Sequence, residues 1–242
     1  DIGASTAFDA TRYFAGVSPG RSGGVAGQQD RQNFRGFESF SRTIDSFSTF
    51  LIPTSAGFQA NFDAAFIERT EVVMGPDSIL SPTGTPGGSE NLITKSPKFN
   101  KSSEIKVQVG NYLAQKLTVD TTGPIGDSKH WAYRVIGVVQ DTKTFSPGHL
   151  KQDNASVQLE YAFTPNSKID FKWFGLKWQL DGNAANPNNN GQIIYTQDTV
   201  GGATLSNNPQ PGELYNGWNG SATWSHRSDT VQIIETEFTS TL

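Results

Sequence analysis

The sequence lacks cysteine and has only three histidines in 242 residues. Without cysteine the chain has no disulfide, no thiolate metal site and no cysteine nucleophile. His130, His149 and His226 lack the close spacing of metal ligands, so we predict no metal site and no cofactor. No stretch reaches the roughly 20 apolar residues of a transmembrane helix, a limit that does not apply to the shorter, alternating strands of membrane barrels.

Charge and local motifs exclude further classes of protein. Lys and Arg total 19 against 23 Asp and Glu, a net charge of −4, and no basic stripe favours nucleic acid. The glycine-rich segment 84–88 lacks the Lys-Ser/Thr of a phosphate-binding loop, and the Gly-x-Ser-x-Gly sequence of a serine hydrolase is absent. We therefore predict that the chain is not an enzyme.

The densest pattern lies in residues 66–97. Residues 67–74 are rich in β-branched and apolar side chains and predict a strand that Gly75-Pro76 ends, and residues 92–94 predict a second strand. The stretch resembles the plug-domain motif of TonB-dependent outer-membrane receptors, the siderophore-receptor branch in particular. The matching positions that we take as motif residues are Glu68, Arg69, Glu71, Gly75, Pro76, Gly87, Gly88, Asn91, Thr94 and Lys95.

The resemblance implies an α+β plug domain, residues 1–100, followed by part of an antiparallel transmembrane β-barrel, residues 101–242. The barrel part has about six strands of a barrel of about 22. We expect a signal peptide and a TonB-contacting segment upstream of Asp1, and about sixteen further strands after Leu242. Residues 5–17 predict a short helix within the plug.

The implied function is energised uptake through the bacterial outer membrane, without covalent chemistry. A ferric siderophore binds at the extracellular mouth, and the TonB complex moves the plug. Cobalamin, haem or a glycan are alternative ligands for the same fold. A soluble secreted β-sandwich that binds carbohydrate and a porin-like passive channel are alternatives of other classes, and the plug motif argues against both.

Alternation of apolar and polar residues predicts the strands independently of the resemblance. It runs through segments near 105–109, 116–120, 130–141, 157–163, 169–173 and 229–242. A period of two indicates an antiparallel sheet with one apolar and one polar face. The third and fifth segments change phase, because Ile136, Val138, Phe174, Leu176 and Trp178 put apolar side chains on the polar face. A bulge or burial against the plug explains this equally well.

Within the plug motif, three charges are candidates for a latch. The resemblance implies that Glu68, Arg69 and Glu71 pair with the inner barrel wall and hold the plug in place; the alternative is a solvated strand face. On the barrel strands, large aromatic side chains are candidates for a girdle at the membrane interface, the alternative being the core of a soluble sandwich. These are Trp131, Tyr133, Tyr161, Trp173 and Trp178.

The turns predict a topology. Outer-membrane barrels have short periplasmic turns and long extracellular loops. If the first strand rises from the plug side, the turns at 123–129 and 164–167 are periplasmic, and the connections at 111–114, 142–149 and 180–225 are extracellular. The last is the longest, and it supplies the candidate ligand-facing residues, whose alternative is an ordinary solvated loop. They are Asn188, Asn189, Tyr195, Tyr215 and Trp218.

Overall fold

The computed structural model describes residues 13–21, 30–39, 42–48, 62–75, 86–111, 113–143, 149–181, 199–200, 203–204 and 226–241. The strands of the N-terminal part are β1 (Val17–Arg21), β2 (Asp30–Phe34), β3 (Phe37–Ser39), β4 (Arg42–Ile44), β5 (Phe47–Ser48), β6 (Ile67–Met74) and β7 (Gly88–Thr94). The later strands are β8 (Ser102–Gly110), β9 (Ala114–Pro124), β10 (Trp131–Lys143), β11 (His149–Thr164), β12 (Ser167–Asp181), β13 (Thr199–Val200), β14 (Ala203–Thr204) and β15 (His226–Ser240).

The N-terminal unit, the described part of residues 13–97, contains two small sheets. One has the order β1-β2-β3, and the other has the order β5-β4-β7-β6, in which only β4 and β7 are parallel. The strand predicted over residues 67–74 is confirmed to the residue, and its partner is longer than predicted because it begins at Gly88. The described end of the predicted helix 5–17 is instead a turn followed by β1, and the rest of that helix lies outside the described residues.

Helical structure in the described residues is limited to one 3₁₀ turn, Ala64–Phe66. Asp63 caps this turn, since its Oδ1 accepts a hydrogen bond from the Ala65 N–H at 2.8 Å. None of the described helical residues forms a helix with the length and apolar character needed to span a membrane.

Glycine is required where β6 and β7 approach other backbone segments. A Cβ atom on Gly87 would lie 2.1 Å from the Phe34 carbonyl oxygen, and one on Gly88 would lie 2.3 Å from that of Val73. Gly75, just after β6, has φ +104°, and its N–H donates to the Gly87 carbonyl at 2.9 Å. The glycines of the motif thus allow close packing of β2, β6 and β7.

Gly87→Ala should destabilise the N-terminal unit by about 2–3 kcal/mol, because the methyl group forces β7 away from Phe34. The urea concentration at which a protease begins to cut this unit, measured on the full-length protein, would fall. Gly137→Ala is the matched control, since a Cβ there meets no described atom within 4 Å. Equal urea midpoints for the two variants would contradict the close-packing role of Gly87.

The second part of the chain is a six-stranded antiparallel sheet with the order β8-β9-β10-β11-β12-β15. The prediction of six strands is confirmed, and the connection between β12 and β15 is the longest between its strands, as predicted. The predicted alternation of short and long turns is wrong at the start. Residues 111–113 form a shorter connection than residues 125–130. The first is tight because Leu113 adopts a positive φ of 54°, which closes the turn between β8 and β9.

The two faces of this sheet differ in burial. Even-numbered side chains of β9–β12 and odd-numbered ones of β15 point to what we call the inner face, and their neighbours point to the outer face. The ladders keep one register through Ile136, Val138, Phe174 and Leu176, so no bulge shifts their phase. These side chains are buried in a core shared with Ile44, Phe62, Phe66 and Leu92 of the N-terminal unit. Burial against that unit therefore explains the phase change.

The outer face carries exposed apolar side chains along its strands, with an aromatic group at one end. Ring centroids lie 4.7 Å apart for Trp131 and Tyr161, 4.8 Å for Tyr161 and Phe163, and 6.2 Å for Phe163 and Phe238. Trp131 and Tyr161 thus lie on the outer face, and their place in a girdle stays a prediction. For Trp178 the girdle prediction is wrong, because its position in β12 directs the side chain to the inner face, where it is buried.

Candidate functional site

The N-terminal unit meets the inner face of the six-stranded sheet through an apolar patch bordered by charges. The apolar centre is an aromatic group in which the Phe174 ring lies 5.1 Å from that of Phe62 and 6.0 Å from that of Phe66. Around it, ionic contacts join the two parts at three described places. We name them the Asp63 contact, the Asp120 cluster and the Lys172 cluster.

The Asp63 contact is a simple pair. The Lys116 Nζ lies 2.6 Å from the Asp63 Oδ2, and the two side chains are 13% and 2% exposed. Asp63 is held in place by its second oxygen, which caps the 3₁₀ turn. Because Phe62 directly precedes Asp63 and Phe66 is the last residue of the turn, the charge pair and the aromatic packing fix the same short segment to the sheet.

The Asp120 cluster contains one carboxylate and two cations. Arg134 donates to both oxygens of Asp120, at 2.9 and 2.7 Å, and both residues lie on the inner face. From the N-terminal unit, the Lys95 Nζ lies 2.9 Å from the Asp120 Oδ2. Arg134 also donates to the Ser96 carbonyl at 2.9 Å. A bidentate pair within the sheet thus receives two further contacts from the segment that follows β7.

The Lys172 cluster surrounds a buried ammonium group. The Lys172 side chain is 3% exposed, and its Nζ lies 2.8 Å from the Asp45 Oδ2, 3.1 Å from the Thr94 Oγ1 and 3.3 Å from the Glu235 Oε1. Asp45 forms the β4–β5 turn with Ser46, at φ of 47° and 71°. Its carboxylate also accepts hydrogen bonds from the N–H and hydroxyl groups of Thr94. Burial of this charge is balanced by carboxylates from both parts of the molecule.

Residues 1–89 match the family described as the TonB-dependent receptor plug domain. The fold of almost the whole chain also has a counterpart among solved structures. It aligns over 98% of its length with the ferripyoverdine receptor of the outer membrane of Pseudomonas aeruginosa, bound to ferripyoverdine, with a TM-score of 0.78 at 18% identity. Through residues 1–89, this chain contains the plug domain of the TonB-dependent receptors. Its N-terminal unit is the plug, and its six-stranded sheet is part of the barrel wall.

Curated relatives agree with this assignment. The ferrioxamine receptor of Yersinia enterocolitica is 30% identical over 188 residues, which are 76% of this chain and 24% of the relative. The metal-pseudopaline receptor CntO of Pseudomonas aeruginosa is 34% identical over 89 residues, 37% of this chain and 13% of the relative. The chain covers 30% of the solved ferripyoverdine receptor. It therefore spans at most about a quarter of these curated relatives' length.

The structure places the predicted motif residues in different surroundings. Lys95 reaches the barrel wall at Asp120, and Thr94 lies in the Lys172 cluster. Asn91 stays within the plug, where its Oδ1 accepts from the Thr43 hydroxyl at 2.8 Å and the Ser46 N–H at 3.0 Å. Gly75, Gly87 and Gly88 have the backbone roles described above. Pro76 and the ligand-facing candidates lie outside the described residues: Asn188, Asn189, Tyr195, Tyr215 and Trp218.

The three predicted latch charges make their described contacts outside the six barrel strands. Arg69 and Glu71 pair with each other at 2.8 Å, with side chains 61% and 44% exposed. Glu71 also accepts from Asn91 at 3.3 Å, and Glu68 lies 3.9 Å from the Lys98 Nζ. A latch role for Glu68, Arg69 and Glu71 stays a prediction.

Apart from Thr94 and Lys95, the residues that join plug and wall in the structure are not among the site residues that the sequence predicts. On the wall they carried a signal, since each is a charged residue on the polar face of an alternating strand. These are Lys116, Asp120, Arg134, Lys172 and Glu235. Asp45 and Asp63 of the plug had none, because their partners lie far away in the sequence.

Proposed function

We propose that this chain supplies the plug and the first barrel strands of a receptor that takes up ferric siderophores through the bacterial outer membrane. The ligand binds at the extracellular mouth, and the TonB complex, acting through a segment upstream of the plug, moves the plug so that the ligand passes. No covalent chemistry is involved. The plug spans residues 1–100 and the barrel part residues 101–242.

The observation that carries this proposal is the boundary between plug and wall. An apolar patch seats the plug, but the surrounding contacts are ion pairs and hydrogen bonds, which separate and reform without chemistry. The outer face supports a membrane location, because large apolar side chains such as Val109 and Ile234 are exposed along it. The ferrioxamine and ferripyoverdine receptors among the similar proteins support a siderophore as ligand.

The long connection between β12 and β15 is the proposed ligand-facing segment, with Asn188, Asn189, Tyr195, Tyr215 and Trp218 as its contact residues. Amide groups supply hydrogen-bond donors and acceptors, and the aromatic rings supply flat apolar surfaces. This mixture suits a polar, partly planar ligand.

Uptake by cells is the direct test. We expect the full-length receptor, in a host without its own siderophore receptors, to import radioactive iron as ferrioxamine or ferripyoverdine, and a protonophore to abolish the import. Cobalamin, haem and a glycan serve as competing ligands. Alanine at Tyr195, Tyr215 and Trp218 should weaken binding, whereas alanine at the exposed turn residue Asn166 should not. Import of the iron complexes that persists without the proton gradient would contradict the proposal.

A further inference from the structure

The three ionic contacts between plug and wall differ in which ion pairs and hydrogen bonds remain within each part when the plug leaves the wall. In the Lys172 cluster both sides remain paired. Lys172 keeps Glu235 on the neighbouring wall strand, while Asp45 keeps the N–H and hydroxyl groups of Thr94 within the plug. Separation at this point therefore leaves neither charge without a partner, which is the costly outcome for a buried ion.

In the Asp120 cluster the two wall charges also remain paired. Asp120 and Arg134 retain their bidentate pair, since both belong to the wall. The residue that loses its partner is Lys95, whose side chain is already partly exposed, so that water replaces the lost carboxylate. Both clusters are thus compensated on the wall side before the plug moves.

The Asp63 contact lacks this compensation. Within the described part of the chain, Asp63 is the carboxylate that pairs with Lys116, and separation leaves that ammonium group on the wall without it. The same segment also holds the plug by the rings of Phe62 and Phe66 against Phe174. Among the three described ionic contacts between plug and wall, the Asp63 contact is the one whose segment, residues 62–66, also supplies aromatic packing against the wall.

The plug sheet itself is tied together independently of the wall. Asn91 in β7 links Thr43 and Ser46 of the β4–β5 hairpin to Glu71 in β6. With the ladders between them, the four strands β5-β4-β7-β6 form one connected body. The segment 62–66 directly precedes β6, at the edge of that body.

We propose that residues 62–66 are a hinge. When the plug is pulled, its four-stranded sheet leaves the wall at the Lys172 and Asp120 clusters, while Lys116 and Phe174 continue to hold the hinge. The ligand then passes beside the freed wall residues Lys172 and Glu235 rather than beside Lys116. The pull that starts the movement rests on the proposed function, but the order in which the contacts separate depends on the contacts alone.

Two matched cysteine reporters test the order of separation. Ile44 lies on the β4 strand and Ile136 lies on the wall, in contact with the same core, and they are 6% and 0% exposed. In the full-length receptor in detergent, with any other cysteines removed, we expect a maleimide to label Ile44→Cys at lower urea than Ile136→Cys. Below the unfolding transition the first should react about tenfold faster, as local opening predicts. Leu92→Cys and Val138→Cys form a second pair in the same core, used if either isoleucine variant fails to fold.

The same variants are then labelled in cells. Ferrioxamine with an intact proton gradient should accelerate labelling of Ile44→Cys about tenfold, and that of Ile136→Cys by no more than about twofold. Equal urea dependence of the two reporters, or earlier labelling of Ile136→Cys, would overturn the hinge whether or not the receptor imports iron. Failure to import any ligand, with the urea order as expected, would overturn the proposed function and leave the hinge standing.

Discussion

Phe174→Ala should weaken the attachment of the plug to the wall by about 3–5 kcal/mol, the cost of emptying a closely packed aromatic site. The Phe174 ring is fully buried and contacts both Phe62 and Phe66, so its removal takes away the wall's half of the aromatic group. Residual plug–wall stability is read from the urea concentration at which a protease first cuts the plug of the full-length receptor.

The matched control is Phe171→Ala. Phe171 lies three residues earlier on the same strand, but it points to the outer face and is 42% exposed. We expect its truncation to leave the urea midpoint for plug cleavage nearly unchanged. If the two variants lowered that midpoint equally, the loss would reflect the barrel strand as a whole, and the aromatic group would not be the seat of the plug.

Asp63→Ala should have an effect of similar size, about 3–5 kcal/mol, because it leaves the Lys116 ammonium group in a site that excludes most water. Pairing the change with Lys116→Met removes the stranded charge and should recover most of the loss. The expected phenotype in cells is entry of large antibiotics that the intact plug excludes. If the double variant lost as much plug–wall stability as Asp63→Ala alone, the lost capping hydrogen bond of Asp63 would explain the effect, and the charge pair would not.

Glu68→Ala in the same antibiotic assay tests the predicted latch. Its carboxylate is about half exposed and 3.9 Å from Lys98, and an ion pair of that kind contributes less than about 1 kcal/mol. We therefore expect Glu68→Ala to admit little more antibiotic than the unchanged receptor. Antibiotic entry as great as in Asp63→Ala would instead place a barrel partner opposite Glu68.

The strands were predictable from the sequence, because alternation of side chains is a local property. The strand over residues 67–74 and the six strands of the wall follow from it directly. The cause of the phase change was not predictable. A bulge and a buried patch leave the same pattern in the sequence, and only the position of Phe62 and Phe66 beside Ile136 and Phe174 distinguishes them. Those positions are far apart along the chain.

Of the residues that form the ionic contacts, only those on the wall were predictable from the sequence. A charge such as Lys172 on the polar face of a strand indicates a partner, but a single sequence does not say which residue supplies it. Asp45 illustrates the difficulty, because it is followed by Ser46 and not by the glycine that commonly occupies a turn position of positive φ. The Asp-Ser pair still adopts two positive φ angles, and the Lys172 cluster depends on that turn.

The phase change in β10 and β12 has a consequence for how such receptors diverge. The apolar residues that interrupt the polar face are specific to the plug of this chain, since Ile136 and Phe174 pack in one core with Phe62 and Phe66. A gene exchange that joined this wall to a foreign plug would mismatch volumes as well as charges. The plug and the wall of this chain therefore match each other in side-chain volume as well as in charge, and a change on one side of the core calls for a compensating change on the other.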